Sequence, residues 1–84
     1  PGKFGVISGI IADNRGNYLV ADKLKCVVSV FDKDFNFIME FGHRGKGPGN
    51  LTIPQRLAID GSDRVYVVQE GKRGVSVFRM QYTN

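Results

Sequence analysis

The sequence predicts an all-β chain made of two copies of one antiparallel unit, the second copy incomplete. Three observations lead there. The chain repeats itself at an offset of 47: without a gap, 9 of the 37 residues in 1–37 are identical to their counterparts in 48–84, where ordinary composition gives roughly two or three. Its apolar residues come in runs of five or six between turn-forming clusters, the spacing of an antiparallel meander. No stretch sustains a 3.6-residue apolar period, so no helix of consequence is expected.

Residues 8–12 form the first predicted strand. It is closed by Asp13-Asn14-Arg15-Gly16-Asn17, a cluster of turn formers. Residues 18–22 form the second strand, and a polar connection over 22–26 leads to the third at 27–32. There Val28 and Val30 alternate with Ser29 and Phe31, as a sheet with two chemically different faces requires. Lys33-Asp34-Phe35-Asn36 turns the chain into a fourth strand at 37–42. The glycine-rich segment 42–54 carries His43, Arg44, Lys46 and Gly47-Pro48-Gly49, and joins the two units. The pattern then restarts with strands at 55–60, 65–69 and 75–79. Val75-Ser76-Val77-Phe78 repeats Val28-Ser29-Val30-Phe31 in the same phase. A slip of one residue would turn a whole row to the other face, so the shared phase pins the register. Residues 81–84 begin the counterpart of the fourth strand and stop. The expected organisation is one segment, 1–84, with a first repeat at 1–47 and a second, incomplete repeat at 48–84.

Composition narrows the chemistry. Apolar residues make up 42% and charged residues 24% of the chain, a globular balance. No apolar run is long enough for a membrane-spanning helix, so no membrane partner is expected. Pro1-Gly2-Lys3, without an initiator methionine, reads as a cut inside a longer protein or a processed start. Cys26 is the one cysteine and forms no internal disulfide; burial makes such a thiol inert. Residues 42–49 hold glycines near Lys46, yet no Gly-Lys-Ser/Thr step or helix follows, which excludes a P-loop. Asn50-Leu51-Thr52 is a formal glycosylation acceptor, meaningful only in a secreted eukaryotic chain. Asp13 and Asp60 occupy equivalent positions, which argues for turn capping and not for a catalytic pair. No catalytic residue, metal ligand or cofactor site is expected.

Four-stranded sheets repeating at this period are the blades of a β-propeller. The tryptophan signatures of WD40 and kelch blades are missing, since the chain has no tryptophan. The chain instead resembles the NHL-repeat family. The first unit carries the pattern in Ser8-Gly9-Ile10-Ile11-Ala12-Asp13, Gly16-Asn17-Tyr18-Leu19-Val20-Ala21-Asp22, Val28-Ser29-Val30-Phe31-Asp32 and Glu40-Phe41-Gly42. The second carries it in Pro54-Gln55-Arg56-Leu57-Ala58-Ile59-Asp60, Asp63-Arg64-Val65-Tyr66-Val67-Val68 and Val75-Ser76-Val77-Phe78. The resemblance implies a propeller fragment: one four-stranded antiparallel blade and a second blade lacking its outer strand. Two blades do not close a ring, so the implied partners are further blades, from the same protein or from copies of this chain. Three copies would give six blades. The Asp–Arg pair that braces the loop before the family's third strand is absent from both units, so those loops are expected to be looser. Some NHL proteins are lyases with a His-coordinated zinc, but His43 is the only histidine here.

Folding the repeat into a meander sorts the charges by end. The loops between second and third strands and the segment between units gather Lys3, Lys23, Lys25, Arg44, Lys46, Arg56, Lys72 and Arg73 against Asp22 and Glu70, a net of +6. The opposite end gathers Arg15, Lys33, Arg64 and Arg79 against Asp13, Asp32, Asp34, Asp60 and Asp63, a net of −1. The expected function is a non-catalytic interaction scaffold presenting Lys23, Lys25, Arg44, Lys46, Arg56, Lys72 and Arg73 to a protein partner. The alternatives are single-stranded RNA on that face, as the resemblance implies from NHL proteins with an attached tripartite motif, or a structural part of a larger propeller enzyme. The basic face lacks exposed aromatics on which splayed bases would stack.

Overall fold

The structure, a computed structural model, describes residues 4–45, 47, 49–71 and 74–82. Seven strands make two antiparallel meanders. The first sheet holds β1 (Ile7–Ala12), β2 (Tyr18–Asp22), β3 (Val27–Phe31) and β4 (Phe37–Gly42); the second holds β5 (Pro54–Ile59), β6 (Arg64–Gln69) and β7 (Val75–Arg79). Each sheet runs in chain order, β1-β2-β3-β4 and β5-β6-β7. The second blade thus lacks an outer strand among the described residues: Gln81 and Tyr82 leave β7 without pairing to it.

The repeat extends to irregular detail. β1 bulges between Ile7 and Gly9, and β5 bulges at the equivalent step between Pro54 and Arg56. Lys23 N–H donates to Val6 O, and Glu70 N–H to Ile53 O, both at 2.9 Å. In each unit the segment before the innermost strand therefore closes on the connection that follows the second strand.

The blades stack face to face, with β5 lying against β1 and β2. Leu19, Ala21, Val28 and Val30 of the first blade meet Val65 and Val67 of the second, and Leu51 of the connection fills the space between. Ile11, Phe41, Leu57, Ile59, Phe78 and Met80 complete this core. It uses one face of each sheet, as strand alternation dictates. Gly42 lets the connection turn into this core. Its φ is +112°, and an added Cβ would lie 2.6 Å from Leu51 Cδ1.

Candidate functional site

Three turns share one design. Asp13 Oδ1 accepts the N–H groups of Arg15 and Asn17, Asp32 Oδ1 those of Asp34 and Asn36, and Asp60 Oδ1 those of Ser62 and Arg64. The fourth position of each has positive φ: Gly16, Phe35 and Asp63. A phenylalanine in this region is strained. The Phe35 ring stacks on Phe31 with centroids 4.2 Å apart, a contact that offsets the strain. The three carboxylates are held below the usual range. Burial pushes Asp13 up, but the Asn17, Tyr82 and backbone hydrogen bonds outweigh it. Asp32 is lowered chiefly by Asn36, and Asp60 by the Tyr66 hydroxyl and then the Arg64 N–H. Most of the acid at this end of the blades is thereby committed to turn backbone.

At the opposite end Asp22 is fully buried and organises the connection to β3. Its carboxylate accepts N–H groups from Gly5 at 2.6 Å, Val6 at 3.1 Å, Leu24 at 3.1 Å and Lys25 at 3.0 Å. Burial raises its pKa, the four donors lower it, and the net direction is down. The loop expected to be loose is therefore tied by backbone donors instead of an arginine. In the second blade Gln69 stands at this position. Its Oε1 accepts the Thr52 N–H at 2.7 Å, the counterpart of the Gly5 bond, and its Nε2 donates to Ser76 Oγ at 2.6 Å.

Lys23 and Lys25 ride exposed on the Asp22 loop. Arg44 joins them from the connection between blades, donating from Nη2 to Leu24 O at 2.9 Å. Arg56 is exposed on β5, where it pairs with Val68, and so stands on a strand face instead of in the loop cluster. Lys3, Lys46, Lys72 and Arg73 lie outside the described residues. With Asp22 buried, Glu70 is the exposed acid of this loop end among the described residues. Exposed Tyr18, Phe35 and Phe37 all lie toward the other end. His43 is exposed with a positive φ. Cys26 is buried, its thiol 3.7 Å from Lys23 O.

The donors of the polar links between the blades, Ser8, Asn14 and Tyr82, were given no such role by the sequence. Ser8 Oγ donates to Pro54 O at 2.7 Å. Asn14 Nδ2 donates to Asp60 O and to Asp63 Oδ1, both at 2.8 Å. The Tyr82 hydroxyl donates to Asp13 Oδ2 at 2.7 Å, and the Arg15 guanidinium sits 4.1 Å from the Tyr82 ring centroid. Burial, and then the Asp13 bond, push the Tyr82 phenol pKa upward. A cavity of about 300 Å³ opens between the outer parts of the blades, lined by Met39, Phe41, Phe78, Arg79, Met80 and Gln81. It lies beside the unpaired edge of β7.

A model of the family described as 6-bladed beta-propeller matches residues 3–83. Protein brain tumor of Drosophila melanogaster is 32% identical over 65 residues, covering 69% of this chain and 6% of that protein. The chain thus spans a small part of that relative's length.

Proposed function

Since the chain belongs to the 6-bladed beta-propeller family and supplies two of its blades, we propose that it is a non-catalytic part of a macromolecular interaction scaffold. Its basic loop end, with Lys23, Lys25 and Arg44, docks an acidic segment of a partner protein. The observation that carries this reading is the withdrawal of Asp22 from the surface into four backbone hydrogen bonds. That leaves the cations of the loop facing solvent with Glu70 as the exposed acid among the described residues. Lys46, Lys72 and Arg73 belong to the same proposed face by their place in the repeat, and Arg56 borders it from β5. The placement of exposed aromatics at the other end favours a protein over single-stranded RNA, which needs stacking groups beside its phosphate contacts.

Titration with a labelled oligoglutamate peptide, and separately with labelled oligouridine, tests this at about 50 and 200 mM salt. The peptide is expected to bind at the lower salt, and Lys23→Glu with Lys25→Glu to weaken it about tenfold, a change of about 1.4 kcal/mol. Oligouridine binding with a steep salt slope, and no peptide binding, would replace this reading with the RNA one. Failure of both ligands at low salt would remove the basic end as a binding surface.

A further inference from the structure

A large apolar side chain stands among the cations of the basic loop end. Leu24, between Lys23 and Lys25, is 58% exposed. Val6, whose carbonyl accepts the Lys23 N–H at 2.9 Å, is 43% exposed. An exposed leucine on a loop needs no explanation by itself. Two further features set this one apart.

The first is that it is held in place. Its N–H donates to Asp22 Oδ1 at 3.1 Å, and its carbonyl accepts from Arg44 Nη2 at 2.9 Å. Its side chain lies against the backbone of Gly5: a Cβ added there would be 2.8 Å from Leu24 Cβ and 2.9 Å from Leu24 Cδ2. The Gly5 N–H donates in turn to Asp22 Oδ2 at 2.6 Å. One buried carboxylate therefore fixes both the leucine backbone and the surface on which its side chain rests. Arg44 is fixed from behind, since its backbone bridges to Leu51 of the core. A side chain ordered beforehand loses little freedom when a partner covers it.

The second is that the fold does not call for it. The corresponding loop of the second blade has Gly71 at the equivalent position, 47 residues on. A Cβ added at Gly71 would meet nothing within 4 Å. The meander thus closes without an apolar side chain at this point, and Leu24 fills no place in the core.

We propose that Leu24 is the apolar anchor of the basic surface, and that the partner is an acidic amphipathic segment. Its carboxylates face Lys23, Lys25 and Arg44, and one of its apolar side chains covers Leu24 and Val6. This rests on the reading of the basic end as a docking surface for an acidic protein segment, and it narrows that reading. The charges steer the segment and set its register. The leucine adds apolar burial, which salt does not screen. A covered apolar centre inside a charged rim is the ordinary anatomy of a protein interface. An aliphatic side chain is no platform for a base, so Leu24 suits a peptide and not a single strand of RNA.

Two labelled peptides of equal length and charge test the proposal, one of Glu-Glu-Leu repeats and one of Glu-Glu-Ser repeats, each titrated at about 50 and 200 mM salt. The leucine peptide is expected to bind about tenfold more tightly, a difference of about 1.4 kcal/mol, and to keep that advantage at the higher salt. Leu24→Ser is expected to erase the advantage and leave the serine peptide's affinity unchanged, while Leu24→Met preserves it. Lys23→Glu with Lys25→Glu weakens both peptides. Equal binding of the two peptides would overturn the proposal and leave the acidic docking reading standing. A leucine preference that survives Leu24→Ser would also overturn it, placing the apolar contact elsewhere on the blades. Failure of both peptides at the lower salt, with or without binding of labelled oligouridine, would remove the docking reading and this proposal with it.

Discussion

Asp13, Asp32 and Asp60 each hold a turn by accepting two N–H groups, and Asp22 holds a loop by accepting four. All four carboxyls are pushed below their usual value, Asp60 first by the Tyr66 hydroxyl, Asp13 by the Asn17 amide and Tyr82 hydroxyl against the opposing effect of burial, and Asp22 and Asp32 chiefly by backbone N–H groups. A carboxyl with a folded pKa below its unfolded value of about 3.9 stabilises the fold above that pH. The contribution disappears as pH falls through the lower, folded pKa. Stability measured by urea unfolding is therefore expected to be level from about pH 5 to 7 and to decline below about pH 4. Asp22→Asn is expected to cost about 2 kcal/mol at neutral pH, since it exchanges a buried charged acceptor for a weaker one. A urea midpoint that holds constant down to about pH 2.5 would contradict this account.

Among the elements, the step from β4 into the second blade is the tightest. Gly42 and Gly16 both have positive φ, but only the first is enclosed: a Cβ at Gly42 meets Leu51 and Cys26 O, while one at Gly16 meets nothing within 4 Å. Gly16→Ala is expected to cost about 1 kcal/mol from backbone strain alone. Gly42→Ala should cost about 2–4 kcal/mol, strain and overpacking together. Equal effects in thermal unfolding would count against the packing described for Leu51. All seven strands were legible in the sequence to within a residue at each end, because the apolar runs and Asp-rich turns repeat in one phase. The matching bulges in β1 and β5 were not legible, since bulges have no side-chain period. Nor was the role of Asp22 and Gln69: comparison with a family pattern flagged a missing arginine, while the bonds that replace it use backbone N–H groups that every residue possesses. Of the basic residues, Lys23, Lys25 and Arg44 were expected at one end from loop order in a meander, and in the structure Arg44 Nη2 donates to Leu24 O, between the two lysines. Arg56 falls inside the strand expected at 55–60 and joins the loop cations in the sequence only by its nearness to the connection; in the structure it pairs with Val68 on β5. The inter-blade links were present in the sequence as positions where the two units differ, Asn14 against Gly61 and Phe35 against Tyr82, yet such differences acquire meaning only once the facing residues are known.

At the scale of the whole molecule, every strand pair joins neighbours in the chain, while the contacts between blades do not. Ser8 reaches Pro54 across 46 residues, and Tyr82 reaches Asp13 across 69. Tyr82→Phe removes the longest of these links and is expected to cost about 1–2 kcal/mol, the loss of a charge-assisted bond from a partly buried hydroxyl to a buried carboxylate. The spread of separations also orders events in time. Hairpins of this size form in about 1–10 μs, and a contact across a longer loop has more chain entropy to overcome. The strand pairs of each blade are therefore expected to form before the blades dock, with the Tyr82–Asp13 bond made in the final step. In stopped-flow kinetics the cost of Tyr82→Phe should fall almost wholly on a faster unfolding rate, with the folding rate unchanged. On that expectation the hydroxyl of Tyr82 acts as a latch: it has little part in how quickly the molecule is made and lengthens the time the two blades stay together.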